Sequence, residues 1–190
     1  MATEYTIPQL PLPYDLETKA VMRQLNRANR KLAELKGVAL TIPNENILIS
    51  TLTLQEAKES SSVENIVTTQ DDLFKEDLNV QSFISNAAAK EVLNYRQALQ
   101  TGFHLVKEHH LLTSNHIKQI QATLESNRAG FRAVPGTQLK NSLGEVVYTP
   151  PQDLAEIENL MDNLEQFIND ESMSDLDPLI KMAIVHHQFE

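Results

Sequence analysis

The chain has 190 residues, of which 41% are apolar and 22% are charged, and its formal net charge is -10. This length and composition predict one soluble globular domain, or one domain with an appendage, while the acidic balance argues against a protein that binds the phosphate backbone of nucleic acids. The absence of cysteine excludes disulfides and thiolate zinc sites and fits a cytoplasmic location, and no stretch is long and apolar enough to span a membrane.

The first 40 residues predict an extended strap followed by a helix. Pro8, Pro11 and Pro13 favour extended backbone, and we expect the leucines among them to lie on the surface. Asp15 is then a candidate N-cap, a helical repeat of apolar residues follows, and Gly37 is a candidate stop at the C-terminus.

A short helix is predicted over residues 54–65. Thr53 and Glu56 are three residues apart, in the order of a capping box that precedes a helix. On that helix Ser60 and Glu64 are four residues apart and share a face, so the hydroxyl is placed to orient the carboxylate. For so short a pattern, the alternative is an ordinary solvated helix end with an Asn C-cap.

Two further helices are predicted between residues 83 and 124. The first begins near Phe83 and has Gly102 near its end, so that residues 103–109 either continue it or form a separate helix. The second has Thr113 as its N-cap, with an apolar stripe after it.

Residues 127–149 interrupt the helical pattern. Scattered glycines among β-forming residues predict a β-hairpin or flap that turns near residues 141–144. A new apolar repeat begins at Leu154, and Asp177 followed by Pro178 opens the last predicted helix. The predicted buried side of that last helix consists of Leu179, Met182, Ala183, His186 and Phe189.

The six histidines do not have the spacing of a metal site. The pairs at positions 109–110 and 186–187 are adjacent, so their side chains point to different faces of a helix. We therefore expect no metal ligands in this chain, and we expect His186 to be a hydrogen-bonded histidine of the core.

The pattern Ser60-x-x-x-Glu64-Asn65 resembles the inhibitory helix of the Fic family of protein adenylyltransferases. Residues 11–49 are similar to the N-terminal extension of that family, residues 91–99 resemble its first core helix, and residues 130–151 resemble its target-binding flap. The chain departs from many members at positions 63 and 65, where Val and Asn replace Ile and Gly.

The last eight residues, 183–190, resemble the helix that leads into the catalytic loop of the family, with His187 where Tyr is more usual. The loop itself, His-Pro-Phe-x-Asp-Gly-Asn-Gly-Arg-x-x-Arg, does not occur in the sequence. The resemblance therefore implies a chain that is cut before the loop, or a fragment of a longer protein, with no catalytic residue of its own.

For the fold, the resemblance and the periodicities together predict a mainly α, Fic-like helical bundle. It has about seven to nine helices and one β-hairpin flap at about residues 130–148. Residues 1–80 are expected to form an N-terminal helical extension that contains the inhibitory helix, and residues 81–190 the N-terminal part of the Fic core.

The resemblance also implies site residues. The residues of the inhibitory site, next to ATP, are Ser60, Glu64 and Asn65. Glu64 is expected to pair with the last Arg of the catalytic motif and to block productive placement of the ATP γ-phosphate. Those of the target-binding flap are Phe131, Arg132, Val134, Val147 and Tyr148.

The function implied by the resemblance is transfer of AMP from ATP to a hydroxyl side chain of a target protein. ATP and Mg²⁺ are the implied cofactors of the full-length protein, and neither is expected to bind this chain tightly. The target protein is the expected partner, no membrane or nucleic-acid partner is expected, and a homo-oligomer stays open.

The alternative is a non-catalytic helical interaction or antitoxin-like module, whose Glu64 helix inhibits a partner in trans. The two hypotheses differ in whether the reading frame continues past Glu190 into the motif.

Overall fold

The computed structural model of the chain describes residues 5–42, 45–63, 68 and 87–190. Within these ranges the fold is mainly α, as predicted, with one small antiparallel hairpin. The helices are α1 (Lys19–Ala39), α2 (Glu45–Val63), α3 (Ala87–His109), α4 (Ser114–Leu124), α5 (Leu154–Asn169) and α6 (Pro178–Phe189), with a 3-10 turn at Glu171–Met173. The strands are β1 (Leu139–Lys140) and β2 (Val146–Tyr148). None of the helices in the described ranges is long and apolar enough to cross a membrane.

The chain forms two compact units. The first unit consists of Met1–Glu34, Leu112–Ser114 and Phe131–Glu190, and the second consists of Leu35–Leu111 and Asn115–Gly130. The predicted boundary near residue 80 lies outside the described residues, so the division at that point stays a prediction.

Helix α1 begins and ends later than predicted. The Asp15 carboxylate accepts a hydrogen bond from the backbone N–H of Glu17 at 2.9 Å, in a turn that precedes the helix. The N-cap is Thr18, whose hydroxyl accepts from the N–H of Val21 at 3.4 Å. At the other end the helix continues through Gly37, because this glycine keeps a negative φ and does not adopt the left-handed conformation of a C-terminal stop.

Helix α2 starts at Glu45, so the prediction that a helix starts after Thr53 is wrong. Thr and Glu three residues apart are equally compatible with a helix interior, where tertiary packing decides the boundaries. In the second unit Ala57 packs with Ala89 and Val92 of α3, and all three side chains are fully buried. Two alanines at this contact let the helices approach closely.

Helix α3 is continuous to His109, which settles the question that the sequence left open at residues 103–109. Gly102 lies inside it, and a Cβ atom at this position would be 3.0 Å from Cδ1 of Ile120 on α4. Gly102 therefore permits a close helix contact instead of ending the helix. Helix α4 begins at Ser114, directly after the predicted N-cap Thr113.

The core of the first unit is formed by α5, α6 and the N-terminal strap. Its buried members are Leu10, Leu164, Phe167 and Ile184. Leu10 is only 4% exposed, which corrects the expectation that the leucines of the strap lie on the surface. The strap contains neither helix nor strand and bends at residues 10–11 and 13–14, and the proline pattern gave no sign that one of its side chains enters the core.

Asn163 of α5 makes the burial of Leu10 possible. Its side-chain amide accepts from the backbone N–H of Leu10 at 2.7 Å and donates to the carbonyl of Leu10 at 2.9 Å. Both backbone polar groups of a buried residue outside regular secondary structure are thus satisfied by one side chain. Gln188 of α6 donates to the carbonyl of Pro8 at 2.8 Å and holds the strap a second time.

We expect Asn163→Ala to destabilise the first unit by about 1–3 kcal/mol, because it leaves two backbone groups of Leu10 without partners. Urea unfolding followed by circular dichroism measures the change in free energy. The matched control is Asn159→Ala on the exposed side of the same helix, expected to change stability by less than about 0.5 kcal/mol. Equal effects of the two variants would contradict the anchoring role of Asn163.

Helix α6 begins with the predicted cap, since the Asp177 carboxylate accepts from the N–H of Leu179 at 2.9 Å and Pro178 occupies the first turn. The predicted buried side, however, is wrong. Ile184 is the buried residue, and Ile180 and Val185 pack against the same core. The helix carries apolar residues around most of its circumference, so the period of the sequence did not determine which side faces inward.

The predicted core residues of α6 are instead largely at the surface. Phe189 is 56% exposed, and Met182 and Ala183 are exposed as well. His186 is also exposed, with its Nε2 atom 3.5 Å from Oε1 of Glu190, so the prediction of a core histidine is wrong.

Candidate functional site

The flap is a short hairpin with a well-defined turn. Strands β1 and β2 are antiparallel, with Leu139 opposite Tyr148. The carbonyl of Asn141 accepts from the N–H of Gly144 at 3.0 Å, and Gly144 has a φ of 81°, a conformation that favours glycine. The predicted position of the turn at residues 141–144 is therefore confirmed, although the strands are shorter than the predicted flap.

The five predicted flap residues divide into two groups. Val134 and Val147 are exposed, so their side chains are accessible to another molecule. Phe131, Arg132 and Tyr148 are half-buried and belong to the base of the flap. Among the described residues no third strand pairs with either β1 or β2. An extended peptide therefore has a free edge on which to add a strand.

The side chain of Gln152 forms hydrogen bonds with the chain segments before and after the hairpin. Its side-chain carbonyl accepts from the N–H of Gly136 at 2.6 Å, and its amide donates to the carbonyl of Thr137 at 3.1 Å. The same amide donates to the carbonyl of Pro150. One side chain directly after the flap thus fixes the chain segment that leads into β1. Gln152 was not predicted as a functional residue, and its position next to two prolines was the one available signal.

Arg132 is held at the base of the flap by the backbone that follows β2. Its Nη2 atom donates to the carbonyl of Pro151, and its Nε atom is buried without a hydrogen-bond partner in the described part of the chain. Arg132 lines a cavity of ≈ 200 Å³ together with Tyr148, Gln188 and Phe189. The guanidinium therefore shapes the base of the flap and is not exposed along its edge.

A larger groove of ≈ 630 Å³ lies between the strap and the flap, and we call it the flap groove. Strap residues 5–7 form one wall. The opposite wall consists of β2 and the segment after it, residues 146–153, with Glu156. The rings of Tyr5 and Tyr148 meet edge to face, with their centroids 6.0 Å apart. This contact between the strap and the flap was not predicted from the sequence.

The environment of Tyr148 favours its neutral form. Burial raises the pKa of the Tyr148 hydroxyl, the nearby Tyr5 and Glu156 raise it further, and the positive charge of Arg132 acts in the opposite direction. Glu156 and the two tyrosines all line the flap groove, so an acidic group and two aromatic rings are available to the same ligand.

The described part of the predicted inhibitory helix is the end of α2. The Ser60 hydroxyl donates to Oε1 of Glu56 at 2.9 Å, and this bond uses its single proton. Ser60 therefore orients Glu56, one turn earlier in the helix, which differs from the interpretation that it orients Glu64. Glu64 and Asn65 lie outside the described residues, so their roles stay predictions.

The protein is mainly helical, with a hairpin flap that is followed by a capped helix. Comparison with known families identifies the class of proteins to which this arrangement belongs. Residues 22–104 match the Fic/DOC family N-terminal model, and residues 111–190 match the Fic/DOC family model. Together the two matches cover most of the chain, including α2, the flap and α6. The chain therefore belongs to the Fic/DOC family.

Proposed function

We propose that this chain is the regulatory and target-holding part of a protein adenylyltransferase, which transfers AMP from ATP to a hydroxyl side chain of a target protein. The observation that carries the proposal is the pair of family matches, which include both the predicted inhibitory helix region and the flap. The free edges of the hairpin and its exposed valines support a role in holding an extended segment of the target.

In this reaction the target hydroxyl attacks the α-phosphorus of ATP. A bond forms between the hydroxyl oxygen and the α-phosphorus, the bond to the β-phosphate oxygen breaks, and pyrophosphate leaves. The hydroxyl proton passes to a general base, which the catalytic motif supplies in the proposal as its His. Mg²⁺ neutralises charge on the phosphates when bound. The motif does not occur among the 190 residues, so the proposal gives this chain the positioning of the target and the control of ATP.

Control of ATP is assigned to Glu64. A carboxylate at this position competes with the ATP γ-phosphate for the last Arg of the motif, because both are anions that a guanidinium binds through paired hydrogen bonds. ATP that lacks this contact binds with its α-phosphate out of line for attack. The protein is thus kept inactive until the Glu64 helix moves.

The proposal is tested with the protein that carries residues 1–190 together with the catalytic motif. We expect ATP labelled at the α-phosphate to leave label on protein in the presence of Mg²⁺, and ATP labelled at the γ-phosphate to leave none. Replacing the motif His with Ala, or removing Mg²⁺ with a chelator, is the control that should abolish labelling. Label from the γ-phosphate alone, or no α-label even after Glu64→Gly, would contradict AMP transfer.

A further inference from the structure

We propose that the flap groove selects target segments that carry a basic side chain, and that Glu156 is the residue that determines this selection. The inference rests on the proposed function, because its occupant is the extended target segment that the flap holds. It adds the chemical class of that segment, which the family membership does not supply.

The charge of the groove favours a cation. Among the described residues that line it, the charged side chains are Asp153 and Glu156, and both are acidic. The remaining lining consists of two tyrosines, Ile7, the valines of β2, two prolines and uncharged polar residues. A basic side chain on an apolar, extended peptide complements this surface in both charge and polarity.

Of the two acids, Glu156 has the free carboxylate. Asp153 is the N-cap of α5, and its side chain accepts from the N–H of Glu156 at 3.1 Å. The Glu156 side chain forms no hydrogen bond or ion pair within the described part of the chain, and it is exposed to solvent. A ligand cation therefore reaches Glu156 without first displacing a partner from it.

The aromatic wall adds a second attraction for a cation. Tyr5 and Tyr148 are in ring contact across the groove, and both line it. A guanidinium that lies against a tyrosine ring gains a cation–π interaction, and a guanidinium also pairs with a carboxylate. Glu156 lines the same groove as both tyrosines, so a ring and a carboxylate are available to one bound side chain.

The resident cation Arg132 does not fill this position. Its guanidinium donates to the carbonyl of Pro151 and lines the smaller cavity at the base of the flap, and it is not among the residues that line the groove. The positive charge of Arg132 near Tyr148 reduces the attraction for a second cation, and for this reason we expect a moderate preference.

The test uses the 190-residue chain and two blocked peptides of alternating Val and Thr, one with a central Arg and one with citrulline, its neutral isostere. Isothermal titration calorimetry measures both dissociation constants. We expect the Arg peptide to bind about fivefold more tightly, which is the size of effect that an exposed ion pair and a cation–π contact produce together. Tyr5→Ala should weaken the Arg peptide more than the citrulline peptide.

The matched variants are Glu156→Gln and Glu158→Gln, two residues apart on α5. Glu158 is exposed but does not line the groove. The Arg preference should disappear in Glu156→Gln and persist in Glu158→Gln. Equal binding of the two peptides to the wild type, loss of the preference in both variants, or no binding of either peptide would overturn the inference. AMP transfer is measured separately, as label that passes from the α-phosphate of ATP to protein. Such labelling without a preference for the Arg peptide would contradict only the inference about Glu156. A preference for the Arg peptide without labelling would contradict only the proposed function.

Discussion

Self-adenylylation is expected to rise about 10- to 100-fold when Glu64 is replaced by Gly in the protein that carries the catalytic motif. The substitution removes the carboxylate that we propose competes with ATP for the last Arg of the motif. That Arg is then free to hold the γ-phosphate, and the α-phosphate aligns with the attacking hydroxyl. The rate of incorporation of α-labelled ATP measures the effect.

Glu59→Gly is the control for this prediction. Glu59 is exposed on α2 and precedes position 64 by five residues, a spacing that puts the two positions on different faces of the predicted helix over residues 54–65. Its replacement carries the same cost in helix propensity, roughly 1 kcal/mol, without touching the proposed inhibitory contact. We expect its labelling to stay close to that of the wild type. Equal labelling of the wild type and Glu64→Gly would remove Glu64 from the inhibitory role.

Ser60→Ala separates two interpretations of the same helix. If Ser60 steadies Glu64, its loss should raise labelling in the same direction as Glu64→Gly but less. The observed hydrogen bond from Ser60 to Glu56 predicts instead a small effect on labelling, because the side chain that Ser60 orients is that of Glu56.

The largest expected loss of stability follows from Leu164→Ala. Leu164 is 2% exposed and lies in the core of the first unit with Leu10 and Phe167. Truncation leaves a cavity that the helices fill only in part, and we expect it to lower the free energy of unfolding by about 2–5 kcal/mol. Urea unfolding followed by circular dichroism measures this change.

Leu143→Ala is the same chemical change at the tip of the flap, where the side chain is 81% exposed. It should alter the free energy of unfolding by less than about 0.5 kcal/mol. A loss at Leu164 no larger than the loss at Leu143 would mean that the core of the first unit is not organised around α5.

Local signals predicted the fold best. Asp177 with Pro178, Thr113 and the turn at residues 141–144 were found because a cap or a tight turn depends on residues that are neighbours in the sequence. Leu10 was misplaced because its burial depends on Asn163, more than 150 residues away in the chain. The inward side of α6 was misassigned because an almost uniformly apolar helix has no period that marks one face.

In the candidate site, too, local features were predicted and long-range contacts were not. The flap was predicted from its resemblance to a family, and the hairpin lies where it was predicted, while the target-binding role of its residues stays a prediction. The groove was not found, because Tyr5 reaches Tyr148 only when the strap packs against the rest of the first unit. No pattern within either segment indicates that long-range contact.

Mass spectrometry of the protein that carries the motif, incubated with ATP and Mg²⁺, tests the central claim most directly. We expect an AMP group joined through its phosphate to a Ser, Thr or Tyr hydroxyl, with a larger modified fraction in Glu64→Gly than in the wild type. A phosphate group alone on that hydroxyl, or an unmodified protein in both forms, would contradict the account.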